Sequence, residues 1–208
     1  MSHRPLIIGV GGLSSEVGKT TLVCELLRAF PGWEAIKTTR GHYRSCGKDP
    51  QACCVSHLLG DEPVIHSGRE STYSPGKDSG RYWDAGAANV HWLIATNQQL
   101  REGIMRTLRR VQAPGVFVEG NSFTEFVEPD FFIMVARGNQ LKMKPTAKRA
   151  LKHVSVVYLS DDSDSPSGAT KQRASDFLSH ASSQIFGPGE LPQLVVRLQE
   201  LSLVEVKT

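Results

Sequence analysis

Gly18, Lys19 and Thr20 stand near the end of LIIGVGGLSSEVGKTTL, Leu6 to Leu22, where an apolar run breaks into glycines and then enters a helix-forming segment. Backbone N–H groups left unpaired by a glycine-rich turn at a helix N-terminus form a concave donor site for phosphate oxygens. In such a loop Lys19 reaches the terminal phosphates as a mobile positive charge, and the Thr20 hydroxyl ligates the magnesium ion that travels with them. Gly12, Ser14, Ser15, Glu16, Val17 and Thr21 complete the candidate cradle. The common form of this loop has about four residues between its glycines. Here five lie between Gly12 and Gly18, and Leu13 takes the usual glycine position.

Further residues are candidates for work on a bound phosphate. Glu119 ends the apolar strand VFVEG, where a carboxylate faces the magnesium shell or orients an attacking water; the other reading is a strand-end carboxylate in solvent. Lys37 closes the predicted second strand, expected to flank the strand of the phosphate loop, and would reach a terminal phosphate or an acidic substrate unless it is simply solvated. Arg40, His42 and Arg44 make the same edge cationic. In YSPGKDSGRYWDAGAA, Tyr73 to Ala88, Pro75 and Gly76 make a turn, and Lys77, Asp78 and Arg81 bring charge to a helix start, where Asp78 also suits an N-cap.

The segment GHYRSCGKDPQACCVSHLLGDEPVIH holds another cluster. Cys46, Cys53, Cys54 and His57 offer the soft and borderline ligands that tetrahedral zinc prefers, with His42 and His66 as alternates. The spacing is not that of a standard finger, and a redox pair or persulfide carrier is a competing reading. Cys24, on the apolar face of the first helix, reads as core. Asp161 and Asp162 can either read a guanine edge or lie in a solvated loop. No serine, histidine and carboxylate pattern suggests a hydrolytic triad.

These residues need a scaffold, and the hydrophobic periodicity supplies one. Strands are predicted at about Leu6–Val10, Glu34–Thr38, Val90–Ala95, the VFVEG run, Phe131–Val135 and Val154–Leu159. Helices are predicted after the glycine loop, from Asp78 or Ser79 to Ala88, over Gln98–Val111, Lys144–Lys152 and Ser167–Phe186, with a terminal helix and then a strand in LPQLVVRLQELSLVEV. Near-continuously apolar strands alternating with helices predict an α/β fold, a mostly parallel sheet flanked by helices on both faces, with ligand at the strands' carboxyl ends. The 208 residues are expected to form a single nucleotide-binding domain with a Cys/His-rich insertion at about 41–72.

Composition narrows the partners. A net charge of +3 with dispersed basic residues does not imply nucleic acid and suits anionic small molecules. No apolar run approaches the roughly 20 residues that span a bilayer. The N-terminal MSHRPLIIGV lacks the apolar region and cleavage site of a secretory signal, so a cytoplasmic, membrane-free protein is expected.

Two family resemblances rest on these motifs. GLSSEVGKT resembles the longer phosphate loop of dethiobiotin synthetase, which implies an ATP-dependent ligase or small-molecule kinase with Lys37 and Glu119 positioning an acidic acceptor. PGKDS with Arg81 and AGA (Ala85 to Ala87), together with Gly18 to Thr21, Ile36 and Lys37 with His42 nearby, and Val118 to Gly120, resembles molybdopterin-guanine dinucleotide biosynthesis protein B. That resemblance spans roughly the first 120 residues in the right order. It implies a P-loop NTPase that binds GTP with magnesium, hydrolyses it slowly and assists guanine nucleotide attachment to molybdopterin, usually as a homodimer beside a partner transferase. Lys19, Lys37, Asp78 and Glu119 would then be its catalytic set, with Lys77 among the nucleotide contacts. ATP and GTP both stay open as the nucleotide.

Overall fold

The computed structural model describes residues 4–41, 58–139, 141–160, 168–177 and 184–205. Its centre is one eight-stranded sheet. In chain order the strands are β1 (Leu6–Gly12), β2 (Glu34–Arg40), β3 (Val64–Ser67), β4 (Val90–Ala95), β5 (Gly115–Glu119), β6 (Phe131–Ala136), β7 (Val156–Leu159) and β8 (Gln184–Phe186). Across the sheet they run β3-β4-β2-β5-β1-β6-β7-β8. Every pairing is parallel except that of β3 with β4.

Helices cover both faces because successive strand residues point to opposite sides. On one face Ile8 and Val10 of β1 pack with Leu22, Leu26 and Leu27 of α1 (Lys19–Ala29), Tyr82 of α3 (Asp78–Asp84) and Leu194 and Leu198 of α7 (Leu191–Glu205). On the other, Ile7, Val116 and Val118 pack with Leu100 and Ile104 of α4 (Leu100–Leu108), Ala147 and Ala150 of α5 (Pro145–Ala150) and Ala174 of α6 (Gly168–Phe177). One-turn α2 (Arg69–Thr72) follows β3. Burial on both faces explains why the central strands read as unbroken apolar runs. This is an α/β fold with the strand, glycine loop and helix of a P-loop at its centre.

Several local expectations are corrected. The segment expected as a helix over Ser167–Phe186 is helical only to Phe177 within the described residues, and Gln184–Phe186 pairs parallel with β7. The apolar pair Ile185 and Phe186 gains a sheet edge that a polar helix could not offer. Antiparallel β3 lies in a stretch without clear periodicity. The helix after Asp78 stops at Asp84, before Gly86 at φ 93°, and α7 runs through Glu205 without a following strand in the described residues. Strand β2 does not flank β1, for β5 lies between them.

Candidate functional site

The glycine loop leaves β1 at Gly12 and enters α1 at Gly18, whose φ of 86° is left-handed; Glu16 is also left-handed, at φ 58°. Left-handed residues at alternating positions turn successive N–H groups inward, the geometry of an anion nest. Leu13 and Val17 are fully buried anchors, while Ser14, Ser15 and Glu16 face outward. Ser160 Oγ fixes the far end of the loop by donating to Val17 O at 2.5 Å. No side chain caps the first turn of α1, and that turn contains no acidic residue. Its amides and its dipole are therefore available to an anion.

Lys19 folds back over the loop entrance, since a Cβ on Gly12 would sit 2.9 Å from its Cδ. Burial lowers the Lys19 ammonium below its ordinary pKa, Glu119 opposes that shift, and Lys37 adds to it. Thr21 is exposed and accepts a 3.1 Å hydrogen bond from Arg81.

Glu119 is the hub of the site. The parallel register sets it beside Val10 on one side and Lys37 on the other. Although only 2% exposed, its carboxylate accepts from Thr20 Oγ1 at 2.8 Å, from Lys37 Nζ at 2.5 Å and from the buried Tyr82 hydroxyl. The Lys37 ammonium also lies 2.5 Å from Asp78 Oδ2. Burial alone would lower the Lys37 pKa, but Glu119 and Asp78 outweigh it and hold the ammonium above its ordinary value. Asp78 is lowered because the hydrogen bond and the charge of Lys37 overcome the cost of burial. Tyr82 is pushed well above the usual phenol value, first by burial and then by Glu119, so it stays a neutral donor.

Lys19, Thr20, Lys37, Asp78 and Glu119 thus meet in one cluster, which sets aside the reading of Glu119 and Lys37 as solvated strand ends. Asp78 is the first residue of α3 and not its cap; that position belongs to Lys77. Lys77 is exposed, and its side chain has no described partner. His42, Arg44, Cys46, Cys53, Cys54, His57, Asp161 and Asp162 lie outside the described residues. Among the described residues no three His, Cys, Asp or Glu side chains form a metal-holding group.

Four contributors are absent from the residues that the sequence singled out, and three of them carried no sequence signal of their own. Asn121 accepts from Gly12 N through Oδ1 and returns Nδ2 to Gly12 O, both at 2.9 Å, which locks the loop to the end of β5. Tyr82 could have been noticed as the aromatic residue one turn beyond Asp78. Ser160 and Lys144 reach the loop only through the fold. A chain of Ser67, His91 and Glu34 also exists, with Oγ to Nδ1 at 2.8 Å and Nε2 to Oε2 at 2.8 Å. It lies at the amino ends of β2 and β4, away from the loop, and Glu34 is engaged by the amides of Gln112 and Ala113.

No family model and no curated protein matches the chain. Among solved structures it is similar to the 54 kDa protein of the signal recognition particle from Aeropyrum pernix K1 in complex with GDP, at 15% identity and a TM-score of 0.47. The match covers 100% of this chain, which spans 50% of that one. A second similar structure is the kinase domain of the Escherichia coli tyrosine kinase ETK, at 12% identity, 90% coverage of this chain, 67% of that one and a TM-score of 0.35. The chain's own sheet order and its strand, glycine loop and helix carry the assignment of an α/β P-loop fold.

Proposed function

We propose that the chain binds a magnesium nucleoside triphosphate, with GTP favoured, and works as a slow NTPase that assists guanine nucleotide attachment to the molybdenum cofactor. One observation carries the nucleotide reading. The uncapped first turn of α1, under a loop with two left-handed residues, faces the Lys19, Thr20 and Glu119 side chains. Loop amides and Lys19 hold the phosphates, and Gly12, Ser14, Ser15, Val17 and Gly18 shape the cradle.

The donor set fits magnesium. Thr20, Glu119 and Asp78 supply hard oxygens, and the Lys37 ammonium already sits between the two carboxylates as a cation would. When bound there, the ion would neutralise charge developing on the transferred phosphoryl group. Thr20 and Glu119 would hold it, with Asp78 beside them. Glu119 could also orient an attacking water through the lone pair that Lys37 leaves on Oε1, since Oε2 already accepts from Thr20 and Tyr82.

The molybdenum-cofactor assignment rests on the PGKDSGR resemblance, and the placement of its Asp78 and Arg81 supports it, since they contact Lys37 of β2 and Thr21 in the first turn of α1, beside the phosphate loop. In the ligase reading Lys37 would hold an acidic acceptor. Its ammonium is instead engaged by two carboxylates, which favours the accessory-protein reading. Calorimetry of the full chain with GTP and ATP, in the presence and absence of magnesium, tests the proposal. Binding that prefers GTP and is lost in Lys19→Ala is expected; undiminished affinity in that variant overturns it. Tight ATP binding with phosphate release that needs a small acid would select the ligase.

A further inference from the structure

Lys144 precedes Pro145 at the start of α5, and its backbone N–H donates to Leu13 O at 2.9 Å. Asn121 ties down the same corner, donating from Nδ2 to Gly12 O at 2.9 Å and to Thr146 Oγ1 at 3.5 Å. The lysine is therefore pinned to the phosphate loop by its own main chain, one residue beyond the glycine that the Lys19 stem crosses. Both side chains are half-buried.

Their partners set these two lysines apart. The remaining half-buried lysines among the described residues, Lys37 and Lys171, rest on carboxylates. Among the described residues, neither Lys19 nor Lys144 has an ion pair or hydrogen bond at its ammonium. Burying an unpaired charge is costly, and a second like charge on the same loop adds to the cost. An anion received between them would relieve both.

We propose that Lys144 is a second phosphate-binding lysine, which together with Lys19 holds the terminal phosphate of a nucleoside triphosphate. The proposal rests on the reading that the loop binds nucleotide. Main-chain amides of such a loop serve the inner phosphates, so the side chains that overhang it meet the outermost group. Two ammonium groups on one phosphate discriminate a triphosphate from a diphosphate, because only the triphosphate reaches both.

The charge state of Lys144 gives this arrangement a signature. Burial first, then the Lys19 charge, lower its pKa to about 8, with Arg40 and Lys37 adding to the fall and Glu119 opposing it. A phosphate placed against the ammonium raises that value again, so triphosphate binding takes up a proton at alkaline pH.

Calorimetry of the full chain with GTP and GDP, at about pH 8.5 in buffers of different ionisation enthalpy, reads affinity and proton uptake together. The wild type is expected to take up a proton with GTP. Lys144→Gln is expected to lose about tenfold or more in GTP affinity and most of the uptake, leaving the smaller share that Lys19 contributes, while holding GDP as before, and Lys144→Arg to keep GTP affinity without most of the uptake. Retained GDP binding shows that the glutamine variant is folded. Equal loss of GTP and GDP in that variant, or wild-type GTP affinity, overturns the role of Lys144 while the phosphate-loop reading stands. A wild-type chain that binds neither GTP nor ATP overturns that reading and this proposal with it.

Discussion

The Thr20 hydroxyl donates to the Glu119 carboxylate over 2.8 Å, joining the first turn of α1 to the carboxyl end of β5 across 99 positions of sequence. A hydroxyl in this place keeps its lone pairs free for a cation while the carboxylate stands beside it. Removing it in Thr20→Ala should leave the loop amides intact and take away the magnesium-dependent part of nucleotide affinity, about tenfold or more. Titrations of the variant with nucleotide, with and without magnesium, should converge on one weak affinity. A magnesium effect as large as that of the wild type would exclude Thr20 from the ion's coordination.

Lys37 is the counter-charge for this cluster. In Lys37→Met the buried Glu119 carboxylate keeps the Thr20 and Tyr82 donors but loses its 2.5 Å ion pair, and Asp78 loses its own. Breaking a buried pair on one side should destabilise the fold by about 3 kcal/mol, most of it from Glu119, since Asp78 is the more exposed partner. Adding Glu119→Gln should restore part of that loss. Urea denaturation of both single variants and the double variant provides the cycle, and additive losses would show that the two charges are not coupled.

Gly120 follows Glu119 with a φ of 145°, and a Cβ there would stand 2.1 Å from Thr38 Oγ1. That hydroxyl is not free to move, because it donates to Glu119 O at 2.6 Å. Gly120→Ala should therefore cost about 1–3 kcal/mol from strain and displace Glu119, lowering nucleotide affinity as well as stability. Combining it with Thr38→Ala should lose less than the sum of the two, because the clash has gone. A thermal melt of the alanine variant matching the wild type would show that the strand end relaxes freely.

The parts of this site that were legible in the sequence are those fixed by local chemistry. Glycines, lysine and threonine in one loop announce a phosphate cradle because the function needs them contiguous, and Glu119 was visible as a charge that breaks an apolar strand. Asn121, Ser160 and Lys144 were not, because each reaches the loop through a strand register or a helix start that periodicity does not locate. Sheet order was also out of reach. The strands all look alike, buried on both faces, so nothing in the sequence says that β5 separates β2 from β1, although that order is what sets Glu119 between Lys37 and the loop. The polar stretch after Ser167 carried a helical pattern, and only pairing with β7 makes Gln184–Phe186 a strand.

Glu34 lies at the opposite end of β2, only 3% exposed. Burial pushes its pKa up, but the hydrogen bond with His91 and the amides of Gln112 and Ala113 outweigh it and hold the carboxyl below its ordinary 4.5. Below that value the unfolded chain therefore binds the proton more readily than the folded one. The stability from this group is fully present above about pH 4.5 and is lost as the pH falls through the lower, folded value. Glu34→Gln should be less stable than the wild type at neutral pH by about 1–3 kcal/mol, through the weakened contacts with His91 and the two amides. The gap should narrow on acidification, since the wild type loses what the variant never had. Urea midpoints measured from about pH 6 down to about pH 3 should show the two curves converging. Parallel curves would mean that Glu34 titrates alike in the folded and unfolded chain, and that its hydrogen bonds do not depend on its charge.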